Sequence, residues 1–173
     1  TLETGNEVVA IARKPQETSL ADMSSDELVI GLDGISDPGN LGTVVRIADW
    51  FGIKRVWCAE GSVDAYNPKA VQASMGALFR VSVSIVDLPE VLRRQHAAGV
   101  QVYLASMEGR SVFDVGLARR AVLVMGSESH GLSDAVRSLG EVISIPGGGG
   151  AESLNVATAT SALCREFVRQ RSA

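Results

Sequence analysis

The run Ala121–Met125 is apolar from end to end, and no other stretch limits the fold of this chain so tightly. A half-buried strand alternates apolar and polar residues. A short continuous apolar run fits a central parallel strand with helices over both faces. At this length it cannot span a bilayer. Around it, strand-like and helix-like stretches alternate from Glu27 onward. Leu28–Leu32, Val56–Ala59, Val81–Val86, Val100–Leu104 and Val142–Ile145 read as strands. Leu41–Phe51, Asn67–Met75, Pro89–Ala98, Ser133–Leu139 and Ser153–Gln170 read as helices. Asn40, Asn67, Ser133 and Ser153 are placed to start four of them, and Gly52 and Gly99 to stop two. The order implies an α/β fold, a parallel sheet flanked by helices.

At 173 residues this is one domain with a short appendage. The strand Val8–Ala12 and the polar stretch after it make residues 1–26 an N-terminal strand and linker, and 27–173 the main domain. The chain opens at Thr1 without Met and reads as a fragment or a processed product. A formal net charge of −4 argues against a nonspecific nucleic-acid binder, while leaving room for a local basic face. Cys58 and Cys164 share no metal-type spacing and have no His cluster nearby. They read as reduced, buried thiols in a cytoplasmic protein, with no metal site. No signal peptide or membrane span is evident.

Three loops that follow strands carry glycine: Asp33–Gly42, Gly126–Gly131 and Pro146–Gly150. In open α/β sheets ligands bind beyond the carboxyl ends of strands, so chemistry is sought there. None of the loops has a dinucleotide or P-loop fingerprint. In the first, Gly42 and Arg46 share a helix face, and Gly42 lets a backbone or a substrate come close. Arg46 either meets a ligand or pairs with Asp49 on the surface. In the second, Glu128 follows a buried strand, where it binds a cation, a hydroxyl or N–H groups, or faces water. His130 reads as a turn residue. The third, with Gly147–Gly150, is either a tether or a cradle at a helix start. Val156, Ala159, Leu163 and Phe167 form an apolar stripe behind it, among small residues that allow close packing.

Together the stretches Asn40–Gly42 with Arg46, Gly126–Glu128 with Gly131–Ser133, and Ile145–Pro146 with Ser153–Ala157 resemble, in order and spacing, the three motifs of the SpoU (TrmH-type) RNA methyltransferases of the SPOUT superfamily. Asn67–Phe79 also looks like members of that family. The resemblance covers Glu27 to the C-terminus.

It implies a deep C-terminal trefoil knot (the SPOUT α/β-knot), which first principles of chain connection would not suggest. It further implies a homodimer, S-adenosylmethionine as methyl donor, and a ribose 2′-hydroxyl in tRNA or rRNA as acceptor. Carried over, Arg46, Asn40, Glu128, Ser153 and Asn155 are the catalytic set. Ala105, Ser106, Met107, Gly126, Glu128, Ile145, Pro146, Ser153 and Leu154 hold the cofactor. Candidate RNA contacts are Arg46, Lys54, Arg55, Lys69 and Arg80, each equally readable as a solvated surface charge. Arg46 has been cast in the family as a base, but a guanidinium stays protonated in proteins. A fixed cation that binds phosphate and steadies a developing alkoxide suits it better.

Gly147 stands where many relatives carry Met, and Gly148 and Gly150 replace side chains, so the third loop is expected to be more mobile than usual without cofactor; Ser129, in the second loop, stands where Gly is common. Many members carry an N-terminal RNA-binding domain, of which Val8–Ala12 would be the last strand. The rivals are a noncatalytic RNA-binding or assembly protein on the same scaffold and a small-molecule methyltransferase. The particular RNA and nucleotide are not written in the sequence.

Overall fold

The computed structural model describes residues 13–14 and 22–172; the strand expected over Val8–Ala12 and most of the linker lie outside them. Six strands form one parallel sheet: β1 (Leu28–Asp33), β2 (Arg55–Ala59), β3 (Ser82–Val86), β4 (Gln101–Ser111), β5 (Ala121–Gly126) and β6 (Glu141–Ser144). Their order across the sheet is β3-β2-β1-β5-β4-β6. The helices are α1 (Pro38–Trp50), α2 (Pro68–Ser74), α3 (Leu88–Ala97), α4 (Asp134–Arg137) and α5 (Val156–Arg171). Among them none is long and apolar enough to cross a membrane.

The central pair explains the apolar run. β1 and β5 pair in register from Leu28 with Ala121 to Asp33 with Gly126. Leu28, Ile30, Leu32, Ala121, Leu123 and Met125 point into a core shared with α1 and α5. Val29, Val122 and Val124 point into a second core beneath α3 and α4. Both faces are covered, so both sets of side chains are apolar. Tyr103 and Phe167 meet edge to face at 5.5 Å where α5 packs on the sheet. Cys58 and Cys164 are free and buried, and burial pushes both thiols up to about 12, which leaves them protonated.

Two helix starts differ from the sequence expectation. The N-cap of α1 is Asp37, whose carboxylate accepts from Asn40 N at 2.8 Å, with Pro38 in the first turn. Asn40 therefore sits inside the helix with its side chain free for other work. The N-cap of α5 is Asn155, whose Oδ1 accepts from Ala157 N and Thr158 N at 3.0 and 3.3 Å. The helix starts three residues later than expected, and Ser153 belongs to the loop. Two N–H groups converging on one amide oxygen outweigh what a hydroxyl two positions earlier offers.

Gly42 is where a neighbouring backbone comes close: a Cβ there would lie 2.3 Å from Ala70 O. The space it clears is filled by α2. α5 returns across the sheet to pack against α1.

Candidate active site

All three glycine-bearing loops leave the same edge of the sheet, because β1, β5 and β6 run parallel. The β5 loop is closed on itself. Ser127 N donates to Gly131 O at 3.0 Å and Gly131 N to Ser127 O at 2.9 Å. Gly131 adopts φ +67°, the left-handed region that glycine enters without penalty. His130 occupies the turn, its N–H on Ser127 Oγ and its ring against Ser129 Oγ. After the loop, Ser133 N donates to the buried Asp33 carboxylate at 2.7 Å, which ties this segment to the end of β1.

Glu128, at the tip of that loop, gathers the three motifs. Its Oε1 accepts from Asn155 Nδ2 at 2.6 Å, from Asn40 Nδ2 at 3.1 Å and from Val156 N at 3.4 Å. Asn155 Nδ2 also reaches Asn40 Oδ1 at 3.0 Å. Charge-assisted bonds of this kind are the stronger sort. Glu128 Oε2 has no partner among the described residues, so it is open to a donor from outside the chain.

Behind Glu128 lies a cleft of about 920 Å³ between the ends of β4, β5 and β6. Its walls include all nine residues expected to hold the cofactor: Ala105, Ser106, Met107, Gly126, Glu128, Ile145, Pro146, Ser153 and Leu154. The volume lies at the upper end of the usual range for small-molecule sites. Leu104, Met125, Ile143 and Leu163 supply apolar surface. Glu108, Glu128, Ser106 and Ser144 supply acceptors. An aromatic base joined to a polar, cationic chain fits such a mixed lining.

The sequence reading missed how β4 builds one side. Ala105 and Arg110 both pair with Ile143, so residues 106–109 leave the ladder as an excursion toward the cleft. Gly109 was the available signal: a Cβ there would lie 2.5 Å from the Ile143 backbone.

Arg46 stands apart from the Glu128 network. It is exposed on α1 and makes no ion pair among the described residues. The alternative partner, Asp49, is engaged by Arg80 at 2.7 Å, and that bond is the main cause holding the Asp49 carboxyl below its usual range. Lys69 pairs with Asp37 at 2.9 Å, and its hydrogen bond is the main cause lowering that carboxyl. Lys54 is exposed. Arg55 is committed to Glu27 through two bonds of 2.7 Å, in a pair mostly withdrawn from solvent. Its geometry serves the fold, joining the start of β2 to the residue before β1. Ser153 lines the cleft but does not touch the Glu128 network.

Comparison with known proteins follows the same residues. The model of the SpoU rRNA Methylase family matches residues 27–165. The 23S rRNA (uridine(2479)-2′-O)-methyltransferase of Streptomyces viridochromogenes is 35% identical, over 98% of this chain and 62% of its own length. The 23S rRNA (guanosine(2553)-2′-O)-methyltransferase RlmP of Bacillus subtilis is 31% identical, over 93% of this chain and 64% of its own. The solved structure of the SpoU methyltransferase AviRb from Streptomyces viridochromogenes, in complex with AdoMet, superposes with a TM-score of 0.80 at 35% identity. That match covers 87% of this chain and 62% of AviRb. The chain thus spans less than two thirds of the length of these relatives.

Proposed function

The chain belongs to the SpoU rRNA methylase family, and from that premise we propose that it is an S-adenosylmethionine-dependent methyltransferase acting on a ribose 2′-hydroxyl in tRNA or rRNA. The observation that carries the reading is the meeting of Asn40, Glu128 and Asn155 at the mouth of a cleft of cofactor size.

S-adenosylmethionine, when bound, supplies an electrophilic methyl group on a sulfonium sulfur. The apolar walls Leu104, Met125 and Leu154 would hold its base, while Glu128 and Asn155 fix the end of the cleft nearest α1. Attack by the ribose oxygen would break the methyl–sulfur bond and leave S-adenosylhomocysteine as a neutral thioether, and the hydroxyl proton would pass to a phosphate or to water. Holding both reactants in near-attack geometry supplies several kcal/mol of the barrier reduction. Arg46, fixed on α1 and without an ion-pair partner among the described residues, binds an RNA phosphate and steadies the developing alkoxide. Lys54, Lys69 and Arg80 extend the RNA surface. In the same reading the protein is a cytoplasmic homodimer with the family's knotted C-terminal segment, and an N-terminal RNA-binding domain precedes Glu27.

Calorimetry with S-adenosylmethionine tests the cofactor. Saturable binding at micromolar concentrations is expected; none at millimolar concentrations would favour a noncatalytic RNA-binding protein on this scaffold. Mapping of 2′-O-methyl marks in RNA from cells lacking the protein identifies the substrate, and a missing mark on a base would overturn the chemistry. Arg46→Lys keeps the charge and loses the planar fork. Turnover is expected to fall about tenfold or more with cofactor affinity retained, and near-normal turnover would remove the positioning role.

A further inference from the structure

Trp50 and Phe79 are the most exposed large apolar side chains among the described residues, at 83% and 82%. Each is the sequence neighbour of one partner in a two-pronged ion pair. Asp49 accepts from Arg80 Nε at 3.0 Å and from Nη2 at 2.7 Å. Ser82 N donates to Lys54 O at 2.8 Å, a second tie between the chain that follows α1 and the chain that follows the 3-10 turn Ala77–Phe79. Met75, in the left-handed region at φ 49°, turns the chain out of α2 into that segment. Neither ring stacks on another ring or lies under a cation among the described residues.

The surroundings are basic in a chain whose formal net charge is −4. Arg46 lies one helical turn before Trp50 on the same face of α1. Lys54 is close enough to Asp49 to help lower its carboxyl, behind Arg80. Neither Arg46 nor Lys54 has an ion-pair partner among the described residues. Lysine is depleted at protein–protein interfaces, and two cations without ion-pair partners beside bare rings complement a polyanion. Aromatic faces flanked by Lys and Arg are how unpaired bases are held without regard to sequence.

We propose that Trp50 and Phe79 form a stacking platform for single-stranded RNA bases that flank the methylated nucleotide. The proposal rests on the RNA reading above and deepens it. Trp50 lies ten residues beyond Asn40 on α1, about 15 Å at the rise of an α-helix. The platform therefore takes neighbours of the target, with Arg46 between it and the cleft, and sets how the strand runs into the site.

Fluorescence tests it directly, because the chain has two tryptophans and Trp57 is buried. In a Trp57→Phe background the emission of Trp50 reports a base stacked on it. Titration with a twelve-nucleotide single-stranded RNA of mixed sequence is expected to quench that emission saturably. Trp50→Ala and Phe79→Ala are each expected to weaken RNA binding about tenfold, with Trp50→Phe restoring most of it and cofactor affinity unchanged. Both rings are exposed, so neither truncation removes core packing. If the parent binds RNA and neither alanine variant weakens it, the platform is wrong while the RNA reading stands. If the parent binds no RNA at low salt, both fall together. If the alanine variants instead convert a dimer to a monomer in sedimentation, the face is a contact between copies and the proposal is overturned.

Discussion

The two walls of the cleft both carry glycine, and they use it in opposite ways. In the β5 wall glycine is compulsory. A Cβ on Gly126 would lie 2.3 Å from the Gly131 carbonyl carbon, and Gly131 itself has φ +67°. In the β6 wall Gly147, Gly148, Gly149 and Gly150 have nothing within 4 Å of a notional Cβ, and none has a positive φ. The first wall is cross-linked by backbone bonds and by Asp33; the second is open and exposed. Nothing among the described residues requires the second set of glycines. One wall is thus built before a ligand arrives, and the other keeps backbone freedom that only a ligand or a partner would use up.

The largest expected effect tests the first wall. Gly126→Ala forces backbone against backbone and should destabilise the fold by about 3 kcal/mol, read by thermal or denaturant unfolding. A loss below 1 kcal/mol would mean that the loop relaxes easily and the contrast between the walls is overstated. Asn155→Ala removes the cap of α5 and the shortest bond to Glu128 together, for about 2 kcal/mol. Cofactor affinity should fall with it if the two walls are joined through Glu128. Gly148→Ala should go the other way, stabilising the free protein by about 0.4–1 kcal/mol through the unfolded chain, because its conformation suits alanine. Destabilisation would show that the second wall is as constrained as the first.

The smallest effect concerns the helix behind the second wall. Bonds from Arg169 and then Gln170 hold the Glu166 carboxyl down to about 2, below its ordinary 4.5. Its contribution is therefore complete above pH 4.5 and is lost as pH falls toward 2. Hydrogen exchange at pH 3 should loosen the last turn of α5 while the Ser127 and Gly131 amides stay protected.

What the sequence made legible follows from how local each cause is. The apolar run Ala121–Met125 announced a central strand because burial on two faces writes itself into every residue. The motif residues of the cleft were carried over from the resemblance to the SpoU family; the alternation by itself locates only the strand ends beyond which a ligand is sought. The first helix start was displaced because Asp37 followed by Pro38 is a stronger N-cap signal than Asn40, and Asn40 was free to bond 88 residues away. The excursion at 106–109 was hidden because it is set by the partner strand, where one residue, Ile143, serves two positions of β4. Arg80 was counted among the surface charges, but its hold on Asp49 depends on a contact 31 residues apart that no periodicity encodes.

The bonds converging on Glu128 Oε1 have a consequence for the order in which the protein comes into being. Asn40, Glu128 and Asn155 are separated by as many as 115 residues along the chain. A ribosome will have made α1, the whole sheet and the closed β5 loop before the last of the three leaves the exit tunnel. Until then the cleft has one finished wall and no mouth. The joining of the three motifs is in this sense a late event of translation, and a chain ending before Val156 would lack both the mouth of the cleft and the helix that covers one face of the sheet.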